Sequence, residues 1–268
     1  MVKLSLWGNL VKNKSAALAT GILLAASLAV AVAGCTTGAS TAGSGSPTSK
    51  PTPTPTAAAD RTYTSADLAD ILTAVKKDIA SSGTVTTDSE VKAELAKSGG
   101  AKSLLTTKGI TFSPASCRDK LLAAIPEDPS KLPDGTPSIV AALTDTGRSV
   151  TVASADSAPL PASLTSKFES SATDALSSCS SIRLSLTVAG HTTSIEMKLK
   201  KIDLTTTATQ TVALQETVAF GGQNEVIDSV QAIDGNLVIG VNGVVTGGDT
   251  SSLASLVDKT VAAAKALK

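Results

Sequence analysis

The sequence predicts an α+β fold: a curved antiparallel sheet packed with helices, forming a single domain after a disordered linker. Three observations carry this. After residue 60, apolar residues first recur at helical spacing. From Ile182 the period switches to two, and helical spacing returns at the end. Ahead of all this, residues 36–59 are Ser, Thr, Pro, Gly and Ala with one lysine, a composition that cannot bury a core.

Residues 1–34 carry Lys3, Lys12 and Lys14, no acid, and an apolar run over 16–33, the pattern of a secretory signal peptide. Val32-Ala33-Gly34-Cys35 resembles the bacterial lipobox, which implies a diacylglycerol on the Cys35 thiol, cleavage before it, and a fatty acyl (palmitate) anchor on the extracytoplasmic face of the cell membrane. The alternative readings of the same run are an uncleaved spanning helix and a secretion signal cleaved elsewhere. Residues 35–59 then form the linker, with "KPTPTPT" favouring extended polyproline II. The domain proper is 60–268.

Within it, residues 64–80 place Leu68, Ile71, Leu72, Val75 and Ile79 on one helical face, with Thr64 or Ser65 as cap and Gly83 as stop. Residues 88–100 read as a second helix capped by Asp88 or Ser89. Residues 112–125 read as a third, with Ser113 as cap and Pro114 at its first position. Four prolines make 126–137 a loop. Two strands flank Asp145-Thr146-Gly147 within 138–155. Residues 161–179 form a helix with Leu164, Phe168, Ala172, Ala175 and Leu176 on one face. Strands follow at 182–188, 194–202, 210–218, 225–233 and 236–242. Asp234-Gly235 is the strongest hairpin signal. Such alternation gives one covered and one wet face. A helix over 249–267 closes the chain, capped at Asp249 or Thr250.

Cysteine counting leaves Cys117 and Cys179 after Cys35 is set aside, an even pair in an oxidising compartment, which predicts a disulfide. Two separate buried thiols are the alternative. From Cys35 onward the chain holds 20 basic and 23 acidic residues, a net of −3, which argues against nucleic acid. One tyrosine (Tyr63), three phenylalanines (Phe112, Phe168, Phe220) and no tryptophan in that stretch argue against sugar binding by ring stacking.

Chemistry has few candidates. His191 is the single histidine and falls in an expected turn, so it cannot alone build a zinc site or a Ser-His-Asp triad. Glu127, Asp128 and Asp134 cluster in the proline-rich loop without a calcium-loop pattern. Residues 220–225 lack the lysine and helix of a phosphate loop and read as a turn. Lys198, Lys200 and Lys201 read as the wet face of a strand. No catalytic, cofactor-binding or metal residues are assigned, and a non-enzymatic role is expected.

A leading helix, Pro114-Ala115-Ser116-Cys117, a helix ending in Cys179, and Gly235-Asn236-Leu237-Val238-Ile239 before a closing helix together resemble the PknH-like extracellular sensor domain and its lipoprotein relatives in actinobacteria. The resemblance implies an antiparallel sheet with flanking helices, a cleft, an unassigned ligand and the Cys117–Cys179 pair. That family's sensor domain carries two disulfides, and this chain has cysteines for one. The expected function is a membrane-anchored, non-catalytic ligand-binding or sensing module of the cell envelope, with a small-molecule or cell-wall ligand. The alternative is a structural or protein-interaction lipoprotein.

Overall fold

The computed structural model describes residues 61–97, 106, 109–124, 137–155, 159–188, 191–244 and 250–267. The signal, Cys35, the linker and nearly all of the proline-rich loop lie outside the described residues. Among the described residues the main helices are α1 Ser65–Asp78, α2 Asp88–Lys97, α3 Ala115–Ala124, α4 Ala162–Cys179 and α5 Ser251–Ala266. Nine strands are β1 Thr84–Thr86, β2 Ile110–Ser113, β3 Ile139–Asp145, β4 Arg148–Ser154, β5 Ser181–Val188, β6 His191–Ile202, β7 Gln210–Phe220, β8 Gln223–Asp234 and β9 Leu237–Val244. They form one antiparallel sheet in the order β1-β3-β4-β9-β8-β7-β6-β5-β2. Among the described residues, no helix is long and apolar enough to cross a membrane.

Local chemistry explains the starts and stops. The Thr64 hydroxyl accepts from the Asp67 N–H at 3.2 Å, and the Asp67 carboxylate accepts from the Thr64 N–H at 2.8 Å, a closed capping box at the head of α1. Hydrogen bonds from the Thr64 backbone and hydroxyl, helped by Arg61, hold the Asp67 carboxyl below its ordinary range. The far end differs from expectation. The chain turns at Ala80, in the left-handed region at φ 49°, three residues before Gly83. The Ser81 N–H closes that turn on the Lys76 carbonyl at 3.0 Å. Thr87, not Asp88 or Ser89, heads α2, sending its N–H and hydroxyl to Glu90 Oε2 at 2.8 Å each. Asp88 Oδ1 instead accepts from the Val140 N–H at 3.0 Å and ties the helix to β3.

Two short strands were not expected. Phe112 and Ser113 belong to β2, paired to β5 through Phe112↔Leu184 and Ser113↔Arg183, so Ser113 is not the helix cap. Pro114 sits between β2 and α3, and its carbonyl accepts from the Cys117 N–H. His191 opens β6 opposite Val188 and is a strand residue. The 220–225 stretch is a β-turn, as expected: Gly221 and Gly222, at φ 58° and 81°, join β7 to β8 in the twist that a two-residue hairpin needs.

Helices cover the sheet unevenly. On its first face, Leu68, Ile71, Leu72 and Val75 of α1 and Leu253, Leu256, Val257 and Val261 of α5 pack on Leu143, Val150, Val152, Leu237, Ile239 and Val241. On its second face, Leu164 and Phe168 of α4 pack on Val140, Ala153, Val212, Ile233 and Val238, with Val91 of α2 alongside. The strands β3, β4, β9 and β8 are therefore covered on both faces. The expectation of one wet face holds for β5 and β6, where Arg183, Thr187, Lys198 and Lys200 are exposed. Period-two patterning alone could not tell these cases apart.

Candidate functional site

Cys117 and Cys179 are bridged, with Cα atoms 5.5 Å apart and a sequence separation of 62. The bridge joins the first turn of α3 to the last residue of α4. It is buried against Ile182 and Met197, with Phe112, Leu184, Ile195, Leu199 and Val218 around it, all on the second face. It fixes the far end of α4 above β5 and β6.

The basic run separates by strand parity. Pairing Lys198 with Thr217 and Lys200 with Gln215 puts both lysines on the first face, whereas Lys201, opposite Leu214, falls on the second. Arg183, also on the first face, pairs with Glu196 through its Nε at 3.0 Å. The expectation of a single basic wet face is therefore corrected: it is split by the pleat.

The second face holds an arrangement that the sequence did not single out. Across β4, β9 and β8, the register aligns Ser149↔Asn242↔Ser229 in one row and Thr151↔Gly240↔Gln231 in the next. Glu216 of β7, opposite Ile227, sits on the same face, one step diagonal from Ser229. Ser149, Thr151, Gln231, Asn242 and Glu216 each keep 9% or less of their surface exposed. None of the five side chains has a hydrogen-bond or ion-pair partner among the described residues, and Thr151 Oγ1 is fully enclosed. Thr151 Oγ1 is the enclosed, unpaired atom of the set, and leaving such an atom unpaired costs about 1–3 kcal/mol. The polar atoms of the other four residues are not fully enclosed, so the row is a largely buried polar patch that keeps some access at its polar atoms.

The row is a polar patch on β4, β9 and β8, flanked by α2, which packs on β3, and by α4, which packs on β6 and β7. Gly240 lies in the middle of the patch, where a Cβ would meet only the Thr151 Cβ, at the ordinary contact distance of 3.8 Å. The glycine keeps the centre of the patch low without being required for packing. Burial pushes the Glu216 carboxyl above its ordinary range, with no basic group offsetting it. A second buried carboxylate, Asp228, lies on the opposite face. Its Oδ1 accepts from Gln215 Nε2 at 3.1 Å, and its Oδ2 is unpaired. Among the described residues, no group of three or more His, Cys, Asp or Glu could hold a metal ion.

No family model matches this sequence, and no curated protein matches it. The solved structures similar in fold include two from mycobacteria. The extracellular domain of PknH from Mycobacterium tuberculosis aligns over 76% of this chain and 98% of its own, with 13% identity and a TM-score of 0.42. An uncharacterised protein from Mycobacterium smegmatis aligns over 65% of this chain and 95% of its own, with 16% identity and a TM-score of 0.34. Likenesses this distant carry no functional weight, so function must come from the residues of this chain.

Proposed function

We propose that the chain is a membrane-tethered, extracytoplasmic ligand-binding or sensing module, acylated on Cys35, raised on the 36–59 spacer, and reading a small molecule at the polar row of the second face. The observation that carries this is the row of Ser149, Thr151, Gln231 and Asn242 with Glu216: on one face, largely buried, and without a partner among the described residues. Such groups become satisfied when a ligand supplies the missing partners. The role is binding without turnover, since the stripe offers amides, hydroxyls and one carboxyl but no base beside a nucleophile.

Two measurements test it. The full chain is expressed in a bacterium that exports and acylates it, released in detergent and weighed by native mass spectrometry. A small-molecule mass increment is expected for the parent and lost in Gly240→Val, where the new side chain stands at the centre of the row. Labelling with palmitate is expected for the parent and absent in Cys35→Ala. Identical bare masses for parent and Gly240→Val remove the binding reading; labelled Cys35→Ala removes the anchor. The competing role, a structural or interaction lipoprotein, has the uncovered polar face of β5 and β6 in its favour. It predicts a protein crosslinked through Lys198 or Lys200 and no bound small molecule.

A further inference from the structure

We propose that the bare part of the sheet's first face, centred on Lys198 and Lys200, docks on the anionic phospholipid headgroups of the membrane that carries the anchor. This rests on the Cys35 anchor of the reading above and adds the surface that the domain turns towards the bilayer.

Helices cover the first face at one end. There α1 and α5 pack on β1, β3, β4, β8 and β9. Past them, on β5 and β6, Arg183, Thr187, Thr192, Ser194, Lys198 and Lys200 are exposed on that face. The opposite face of the same strands is closed by the apolar cluster around Cys117 and Cys179, so the exposure is one-sided.

What the bare face offers selects its partner. Its hydroxyls largely satisfy one another, Ser185 with Ser194 at 2.9 Å and Thr187 with Thr192 at 3.0 Å. Arg183 is paired with Glu196. Lys198 and Lys200 have no partner among the described residues, and they stand two residues apart on one strand, about 7 Å. The nearest acid in line with Lys200 is Asp228, which is buried and separated from it by Gln215. A chain that is net acidic from Cys35 onward thus shows two unpaired ammonium groups side by side here. No aromatic or large aliphatic side chain is exposed on this face of β5 and β6. It therefore lacks the anchors of a protein interface core and has nothing to insert among acyl chains. It suits a hydrated anionic surface, and the spacer puts one within reach. Residues 36–60, at about 3 Å each, extend at most about 75 Å from the lipid. Docking is then an event within one tethered particle and needs little intrinsic affinity. Each unpaired lysine near an anionic leaflet strengthens it about fivefold.

The test reconstitutes the acylated full chain in vesicles of phosphatidylcholine alone, and of phosphatidylcholine with an equal part of phosphatidylglycerol. Lysines are labelled briefly with acetic anhydride and read by peptide mass spectrometry. Exposed Lys167 of α4, on the second-face side, is the reference. Relative to Lys167, labelling of Lys198 and Lys200 is expected to be at least about fivefold slower on the anionic vesicles. It should recover in molar salt, where the screening length falls to about 3 Å. In Lys198→Gln the protection of Lys200 should drop about fivefold, and the reverse in Lys200→Gln. Equal relative labelling on the two vesicles, protection that survives molar salt, or protection of Lys167 instead would overturn the docking. Soluble polyphosphate protecting both lysines equally well on neutral vesicles would overturn the lipid assignment. Flotation separates the anchor from the face. A chain that leaves neutral vesicles but stays, protected, on anionic ones defeats the Cys35 reading and keeps the docking. A chain that floats with both and labels equally defeats the docking alone, and one that floats with neither defeats both.

Discussion

Replacing Cys117 and Cys179 together by alanine removes the covalent link between α3 and α4 and leaves every other contact in place. The link closes a loop of 62 residues. The entropy it withholds from the unfolded chain corresponds to about 4 kcal/mol. Alanine is expected to add little further cost, because Cys117 and Cys179 sit among Ile182, Met197 and Phe112 and no buried polar group loses a partner. For a chain of this size, about 4 kcal/mol lowers the melting temperature by about 10 °C. Differential scanning calorimetry of the oxidised parent and the double variant measures it directly, with intact mass confirming the bridge. Reductant alone should act slowly on the native parent and quickly in denaturant, because Cys117 is wholly enclosed. A variant melting within about 2 °C of the parent would refute the entropic reasoning, as would thiols that react at once in the folded protein.

Glu216 predicts a pH dependence. Its native value lies above 4.5, so between the two values the folded state keeps a proton that the unfolded state has lost, and stability falls as pH rises through that window. Urea unfolding of Glu216→Gln should show a shallower fall and a higher stability above the window; parallel profiles would count against a buried acid. Gly83→Ala drives a Cβ into the Thr144 backbone carbonyl and should cost roughly 1–3 kcal/mol in chemical denaturation. Ala80→Gly should raise stability by about 1 kcal/mol, since φ 49° is strained for any residue with a Cβ; a loss instead would mean the turn is held by the alanine methyl.

The helices were legible because their apolar stripes repeat over many turns: Leu68, Ile71, Leu72 and Val75 all proved buried, as did Leu253, Leu256, Val257 and Val261. Strands β5 to β9 were legible from period two, and β3 and β4 from the turn residues Asp145-Thr146-Gly147 between them. The two edge strands were not, since three or four residues cannot show a period, and Ser113-Pro114 looks locally like a helix start. The stop at Ala80 was hidden because alanine carries no signal for a left-handed turn. The buried polar row was the largest omission. Ser149, Thr151, Gln231 and Asn242 alternate with apolar residues just as a solvent-facing row would. Their burial is set by the tertiary packing of the second face, which local sequence does not encode. The one usable hint was Gly240 inside the aliphatic run Leu237–Val241, a position where glycine often marks close approach of something else.

The placement of the stripe along the strands bears on how a tethered module would use it. The spacer enters at Arg61, whose carbonyl accepts from Asn236 Nδ2 at 3.0 Å and whose guanidinium reaches the Leu267 carbonyl at 2.7 Å. Asn236 Oδ1 in turn accepts from the Leu160 N–H at 2.9 Å, so this buried side chain in the β8–β9 turn clamps the entry, the end of α5 and the approach to α4. Asn242 lies six residues further along β9, about 20 Å from that clamp at strand rise. Ser149 is paired to it, and Glu216 lies one step beyond. The polar end of the second face is thus the end of the sheet away from the tether. On the reading proposed above, a lipid on Cys35 would pull through the spacer on Arg61, which the buried Asn236 side chain holds. The unpaired groups are left at the opposite end, where a molecule arriving from outside the membrane would meet them first.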